Sequence, residues 1–201
     1  MLVRAWCVVA LAASAAFAQT WTELGPAPIS GFGGATGRVS AIVCSPTNGN
    51  RWYVTGADGG VWRTSDAGLM WTPLTDHMPT TAMGALTLDP TDENVIYAGS
   101  GEANFANHSR YGLGIFRSAD GGATWEVRGG AVFSGRCISR ILVHPTTPAT
   151  LYAGVTRAGG FPSPAAAKGH PGANGPVGVF RSNDAGLTWV QLAGGVPALD
   201  A

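Results

Sequence analysis

An eight-residue phrase occurs three times in this chain. It reads T-S-D-A-G-L-M-W at 64–71, S-A-D-G-G-A-T-W at 118–125 and S-N-D-A-G-L-T-W at 182–189. Asp is always third, Gly fifth and Trp last. A catalytic site is usually needed once, whereas a structural joint recurs as often as the structure repeats, so internal periodicity constrains the fold first. The spacing is 54 residues from Trp71 to Trp125 and 64 from Trp125 to Trp189.

The repeat extends upstream of the phrase. Directly before it stand Gly60-Val61-Trp62-Arg63, Gly114-Ile115-Phe116-Arg117 and Gly178-Val179-Phe180-Arg181. Earlier come Trp52-Tyr53-Val54, Val95-Ile96-Tyr97 and Leu151-Tyr152-Ala153, and earlier still Ile42-Val43-Cys44, Leu86-Thr87-Leu88 and Leu142-Val143-His144. Each unit therefore reads as four short strands. The first is a nearly continuous apolar run, expected to be buried on both faces. The fourth alternates, so Trp125 and Val127 are expected on one side and Glu126 and Arg128 on the wet side. Pro73 falls in the equivalent strand of the first unit, where an edge tolerates the missing N–H. Outside the N-terminus no helical period is evident. The fold class is all-β: three β-propeller blades of four antiparallel strands, at about 37–76, 80–130 and 135–194.

Within the phrase, Asp66, Asp120 and Asp184 are suited to accept hydrogen bonds from their own turn, assisted by Thr64, Ser118 and Ser182. Gly68, Gly122 and Gly186 supply a positive φ. Trp71, Trp125 and Trp189 bury a ring between sheets. A carboxylate used in this way is occupied by structure, not chemistry.

The N-terminus has Arg4, an apolar run at 5–16 and Ala16-Phe17-Ala18, the pattern of a signal peptide over 1–18. We expect an exported chain (secreted, periplasmic or cell-surface), with the propeller over 19–201 and no membrane span after cleavage. Thr20-Trp21-Thr22-Glu23-Leu24 matches the fourth-strand phrase Thr188-Trp189-Val190-Gln191-Leu192. It reads as the outer strand of a closing blade. Three blades leave two terminal faces bare. At roughly 25 cal/mol per Å² such faces forgo on the order of 10 kcal/mol. Further blades are therefore expected, from a longer parent chain or from a second copy.

Charged residues make up 12% of the chain and the formal net charge is zero. No basic run with interleaved aromatics points to nucleic acid. Cys44 and Cys137 lie in apolar strand patterns of different units and are expected to be buried free thiols. No residues have zinc-ligand spacing, and no cofactor or metal is expected.

Propeller geometry sorts the remaining polar residues. Loops between strands two and three, and between blades, share one face of the disc. That face gathers Asp58, Asp76 and Glu102 with Arg38, Arg136 and His77, and the second-blade loop adds Asn104, Asn107, His108, Arg110 and Tyr111. Asp58 and Glu102 are the candidate catalytic carboxyls. Glycoside hydrolysis needs two such groups about 5–5.5 Å or about 6.5–9.5 Å apart. The alternative is that Asp58 makes a hairpin turn before Gly59-Gly60 and Glu102 pairs with an arginine. The 158–178 insertion, rich in Gly, Pro and Ala, reads as a surface excursion.

The phrase resembles the Asp box of the bacterial neuraminidase (BNR) repeat, found in sialidases, xyloglucan-cleaving endoglucanases, sortilin-type receptors and a photosystem assembly factor. The 37–42 and 101–105 stretches look like those of secreted bacterial BNR-repeat proteins. The resemblance implies a propeller over 20–201, whereas activity differs among these families. Sialidases carry Arg-Ile-Pro near the first blade, where this chain has Gly37-Arg38-Val39, and their arginine triad and Tyr–Glu pair have no counterpart here. Xyloglucanases have an Asp two residues before a Gly-Gly pair, where this chain has Ala57, with Asp58 one residue off. We expect a non-catalytic propeller scaffold presenting loops to a protein or glycan. The alternative is part of a secreted glycoside hydrolase.

Overall fold

The computed structural model describes residues 37–102, 110–157 and 176–193. The signal-peptide segment, the 20–24 strand, Asn104, Asn107, His108 and residues 158–175 lie outside the described residues. Among the described residues, twelve strands form three four-stranded antiparallel sheets. The first holds β1 (Val39–Cys44), β2 (Trp52–Gly56), β3 (Gly60–Thr64) and β4 (Thr72–Pro73). The second holds β5 (Met83–Leu88), β6 (Ile96–Ser100), β7 (Ile115–Ser118) and β8 (Glu126–Arg128). The third holds β9 (Cys137–Val143), β10 (Leu151–Thr156), β11 (Gly178–Ser182) and β12 (Val190–Gln191). Each sheet is a meander in chain order.

The sheets meet side by side, β1 against β5 and β5 against β9. Two cores fill the gaps. Tyr53, Val61, Leu74, Met83, Leu86, Ile96, Ala98 and Phe116 close the first sheet on the second. Ala85, Tyr97, Ile115, Ile138, Ile141, Leu151, Ala153, Val155 and Phe180 close the second on the third. Strand β6 serves both, because alternate residues point to opposite faces: Ile96 and Ala98 one way, Tyr97 the other. Arg63 also reaches across, donating from Nη1 to Gly121 O at 3.2 Å.

Every innermost strand carries a one-residue bulge at the same place. Ser40, Gly84 and Ser139 are the extra residues, each skipped in the pairing with the second strand. A bulge re-aims the side chain it displaces. Ser40 Oγ accordingly bridges two sheets, lying 2.9 Å from Thr55 Oγ1 of its own and donating to Met83 O of the next blade at 2.7 Å.

Three expectations need correction. The innermost strands are not all buried on both faces. Val39, Ile42 and Leu142 are about half exposed, because β1 and β9 have a neighbouring blade on one side only among the described residues. The outer strand does not alternate as read: Val127 is exposed and the Arg128 side chain is largely covered, its stem packing near Gly186. A long side chain buries its methylenes while its charged head reaches the Glu126 carboxylate. Finally, one helical turn, α1 (Gly130–Phe133), joins the second and third blades. It seats Phe133 edge-on to Phe180 at 5.1 Å and Trp189 at 5.2 Å.

Candidate functional site

The three repeated turns are built alike. In each, the hydroxyl of the first residue accepts from the N–H of the Gly, at 2.9 Å for Thr64–Gly68, 2.8 Å for Ser118–Gly122 and 2.9 Å for Ser182–Gly186. The same hydroxyl donates to its Asp, at 2.8, 2.7 and 2.7 Å. The same carboxylate oxygen, Oδ1, also accepts from the N–H four residues on: Met70, Thr124 and Thr188, all at 2.9 Å. The turn is then pinned to its own blade's first hairpin through Ala67 N to Asn50 O, Gly121 N to Asn94 O and Ala185 N to Ala149 O. The hydroxyl of Thr124 holds Asp120 down to a pKa of about 2, with that residue's N–H next in effect. Thr188 does the same for Asp184, also about 2. The Met70 N–H, then the Thr64 hydroxyl, lower Asp66. These carboxylates are committed to their turns, and the glycines adopt the expected positive φ of 93°, 94° and 89°.

The opposite ends of the strands converge on a polar mouth to which all three blades contribute. Arg38 enters β1, Asp58 caps the β2–β3 hairpin, and Glu102 follows β6. Arg110 and Tyr111 precede β7, and Arg136 precedes β9. Backbone bonds fix them together: Ala57 N to Arg38 O, Glu102 N to Arg110 O and Gly112 N to Arg136 O. Gly101, at φ 85°, makes the crossing possible, since a Cβ there would stand 2.7 Å from both Arg136 O and Gly112 N.

Two ion pairs span neighbouring blades at this mouth. Arg38 Nη2 meets Glu102 Oε1 at 2.9 Å. Arg110 Nε meets Asp58 Oδ2 at 2.6 Å. They differ in exposure. The Glu102 side chain is 2% exposed while Asp58 and Arg110 are 50% and 47% exposed. Thr81 adds a bond from Oγ1 to Asp58 O at 3.3 Å. Beneath lies Cys137, whose Sγ approaches Glu102 O and Arg110 O, each at 3.4 Å. Burial, and then the Glu102 charge, push its thiol up to about 12.

The candidate group thus divides. Arg38, Asp58, Glu102, Arg110, Tyr111 and Arg136 are brought together, with Tyr111, Arg136 and Glu102 buried. Asp76 and His77 are exposed in the turn before β5 and share no hydrogen bond or ion pair with the group among the described residues. Their neighbour Thr75 faces inward, its hydroxyl accepting from Val61 N at 2.8 Å. The hairpin position of Asp58 and the arginine pairing of Glu102 both agree with the alternative raised from sequence. Thr81 and Cys137 were not singled out for this face. A threonine in an interblade linker carries no sequence signal, and the strand pattern around Cys137 reads as core. Of the chain's three cysteines, the two described ones, Cys44 and Cys137, are free, as expected, but Cys44 is exposed, a correction that follows from the uncovered outer side of β1. Among the described residues no group of three or more His, Cys, Asp or Glu is placed to hold a metal ion. No helix among them is long and apolar enough to cross a membrane.

Side-by-side four-stranded meanders, each locked by the same Asp turn, define three blades of a β-propeller. No family model matches the chain. Its sequence is 28% identical over 184 residues to a xyloglucanase from a Paenibacillus species, covering 86% of this chain and 16% of that protein. It is 30% identical over 140 residues to the xyloglucanase Xgh74A of Acetivibrio thermocellus, covering 64% and 16%. The chain therefore spans about 16% of the length of these curated relatives. Among solved structures it superimposes on an ancestral GH74 enzyme with a TM-score of 0.55 at 20% identity, covering 80% of this chain and 19% of that one. The Niastella koreensis GH74 enzyme gives 0.53 at 24% identity, covering 77% and 22%. At these identities the likeness is one of fold. The fold is thus that of part of a β-propeller, and the sequence is similar to that of xyloglucanases.

Proposed function

We propose that this stretch is the glycan-binding part of an exported glycoside hydrolase propeller of xyloglucanase type. The mouth made by Arg38, Asp58, Glu102 and Arg110 is its binding face. The observation that carries the reading is the pair of interblade ion pairs at one end of the strands, in a chain whose curated relatives include xyloglucanases. Asp58 is the carboxylate open to a ligand there, and the ion pair with Arg110 orients it. Glu102 is buried and braces Arg38, so it does not face a sugar ring. A pair of carboxyls flanking a glycosidic bond then requires a second acid from blades beyond these three.

The non-catalytic scaffold reading is favoured by that burial, and it applies to these three blades taken alone: they bind and do not cleave. The test uses the chain within its complete parent protein. Turnover of xyloglucan is expected, with Asp58→Asn lowering kcat by roughly 10²–10⁴-fold if Asp58 takes part in proton transfer. Loss of xyloglucan affinity with kcat unchanged assigns Asp58 to binding only. A parent that neither binds nor hydrolyses β-glucans overturns the proposal.

A further inference from the structure

At the end of the strands away from the mouth, the turn joining β1 to β2 is gripped by the second blade. Glu93, in the matching turn of that blade, reaches back to it. Its Oε2 accepts from Ser45 Oγ and from Thr47 Oγ1, the latter at 2.9 Å, and its Oε1 accepts from Arg51 Nη1 at 3.0 Å. The third blade has Pro148 at the position of Glu93, so among the described blades this carboxylate grip belongs to the first-to-second joint alone. Asn48 lies between the two halves of the seat. Its N–H donates to Ser45 Oγ at 2.9 Å, and its carbonyl accepts from Arg51 N at 2.9 Å. The course of the chain through Asn48 therefore sets where the Ser45 hydroxyl and the Arg51 guanidinium stand.

Asn48 is followed by Gly49, and the geometry favours reaction between them. Four asparagines are described: Asn48, Asn50, Asn94 and Asn183. Three precede a residue whose N–H is already engaged, Arg51 N on Asn48 O, Val95 N on Asp92 O and Asp184 N on Ser182 Oγ. The Gly49 N–H makes no hydrogen bond among the described residues. Gly49 also has no Cβ to shield its nitrogen, and both residues are exposed to water. Asn48 Oδ1 accepts from Asn50 N at 3.0 Å, which folds the side-chain amide over the intervening peptide and polarises its carbonyl. Attack of Gly49 N on Asn48 Cγ closes a succinimide ring. The nitrogen's proton passes through solvent to the departing amide, the Cγ–Nδ2 bond breaks and ammonia leaves. Water then opens the ring at one of its two carbonyls. Cleavage at Cγ gives aspartate, and cleavage at the main-chain carbonyl gives isoaspartate, whose chain runs through Cβ and Cγ. Nothing is oxidised or reduced.

We propose that Asn48-Gly49 is a spontaneous deamidation site whose isoaspartate product releases Glu93 from its seat on the first blade. The isoaspartate linkage lengthens the turn and turns the carbonyl that holds Arg51 N into a free carboxylate. That new charge stands in the turn Glu93 already occupies and competes with it for Arg51. The test ages the full chain at pH 8 and follows each asparagine by peptide mass mapping, with isoaspartyl methyltransferase counting isoaspartate. Asn48 should lose its amide at least about tenfold faster than Asn50, Asn94 and Asn183, because it alone of the four is held beside an open nitrogen. The other Asn-Gly pair, at 174–175, lies outside the described residues and is read on its own peptide. Gly49→Ala should suppress the loss at Asn48 without disturbing the fold, since a Cβ at Gly49 meets nothing within 4 Å. Urea midpoints read the second half. Ageing should lower the midpoint of the parent and leave that of Gly49→Ala in place. Fresh Glu93→Gln should start lower and fall less on ageing, because the contact that the modification breaks is already gone. Loss at Asn48 no faster than at Asn94 overturns the proposal. So does an ageing effect in Glu93→Gln as large as in the parent, or a parent midpoint that ageing does not move.

Discussion

Thr124 Oγ1 donates to Asp120 Oδ2 at 2.6 Å, and this contact has a counterpart in Thr188–Asp184 but none at Asp66. The first box has Met70 where the others have threonine, so its carboxylate keeps the backbone bond and lacks the hydroxyl. Met70 is 72% exposed and packs on little. Met70→Thr is therefore expected to complete the first turn and raise the melting temperature. The check is a thermal scan of the two proteins side by side. A variant melting below the parent would show that the hydroxyl does not reach Asp66.

Acid should loosen the second and third turns through the same carboxylates. Asp120 and Asp184 have pKa values lowered from 3.8 to about 2. A depressed folded-state pKa contributes stability that is present above the unfolded value and is lost as pH falls through the folded one. The window is thus from about pH 4 down to about pH 2. Urea midpoints should fall across it, and Asp120→Asn should flatten the fall while lowering the midpoint at neutral pH. An equal acid slope in the variant would mean that other groups govern it.

The repeat made the blades legible because a joint used three times leaves three copies of its chemistry: acceptor Asp, positive-φ Gly, covering Trp. Less was legible wherever the determinant is a neighbour in space. Ala67 and Ala185 take left-handed φ of 58° and 56° that no alanine advertises, and only the glycine at the matching position, Gly121, hints at it. Val127 and Arg128 exchanged their expected exposures because the next blade's box, 58 residues on from Arg128 at Gly186, decides which outer-strand side chain is covered. At the mouth, spacing brought Arg38, Asp58, Glu102, Arg110 and Arg136 to one face. It did not show that Glu102 is sealed under Arg38 while Asp58 stays open, since that depends on side-chain depth across blades. Asp76 and His77 failed to join them because Thr75 turns inward to cap Val61.

Blade-to-blade spacing at the inner strands is set by glycine. A Cβ on Gly84 would stand 2.4 Å from Gly101 O and 2.6 Å from Ile138 O. Both are backbone atoms that cannot swing aside. Gly84→Ala should cost at least about 1–3 kcal/mol by overpacking. Gly49, with nothing within 4 Å, serves as the control and should tolerate alanine. Denaturant titration separates them, and equal midpoints would contradict the tight β5–β9 contact.

The two mouth ion pairs should differ in what they contribute. Arg110 and Asp58 are each about half exposed, so solvent screens them and Asp58→Ala should cost about 0–1 kcal/mol. Glu102 is buried, and removing it strands polar groups arranged around a charge. Glu102→Ala should cost about 2–4 kcal/mol, toward the lower end because Arg38 is 43% exposed and regains water. Urea unfolding of both variants checks the order, and a loss at Asp58 as large as that at Glu102 would reverse it.

The two described thiols should react on different terms. Cys44 is exposed and Cys137 is buried with its thiol pushed up to about 12 by burial and the Glu102 charge. Only a thiolate attacks an alkylating agent. At pH 8, iodoacetamide followed by peptide mass mapping should label Cys44 and leave Cys137 intact in the native protein, with both labelled in denaturant. Because the folded pKa lies above the ordinary thiol value of 9.0, the Cys137 contribution to stability is present below about pH 9 and is lost as pH rises toward 12. Cys137→Ala should remove that alkaline dependence while leaving a cavity of one sulfur under the mouth. Rapid native labelling of Cys137 at pH 8 would mean that the floor beneath Glu102 and Arg110 opens readily, and that the mouth is less rigid than its hydrogen bonds imply.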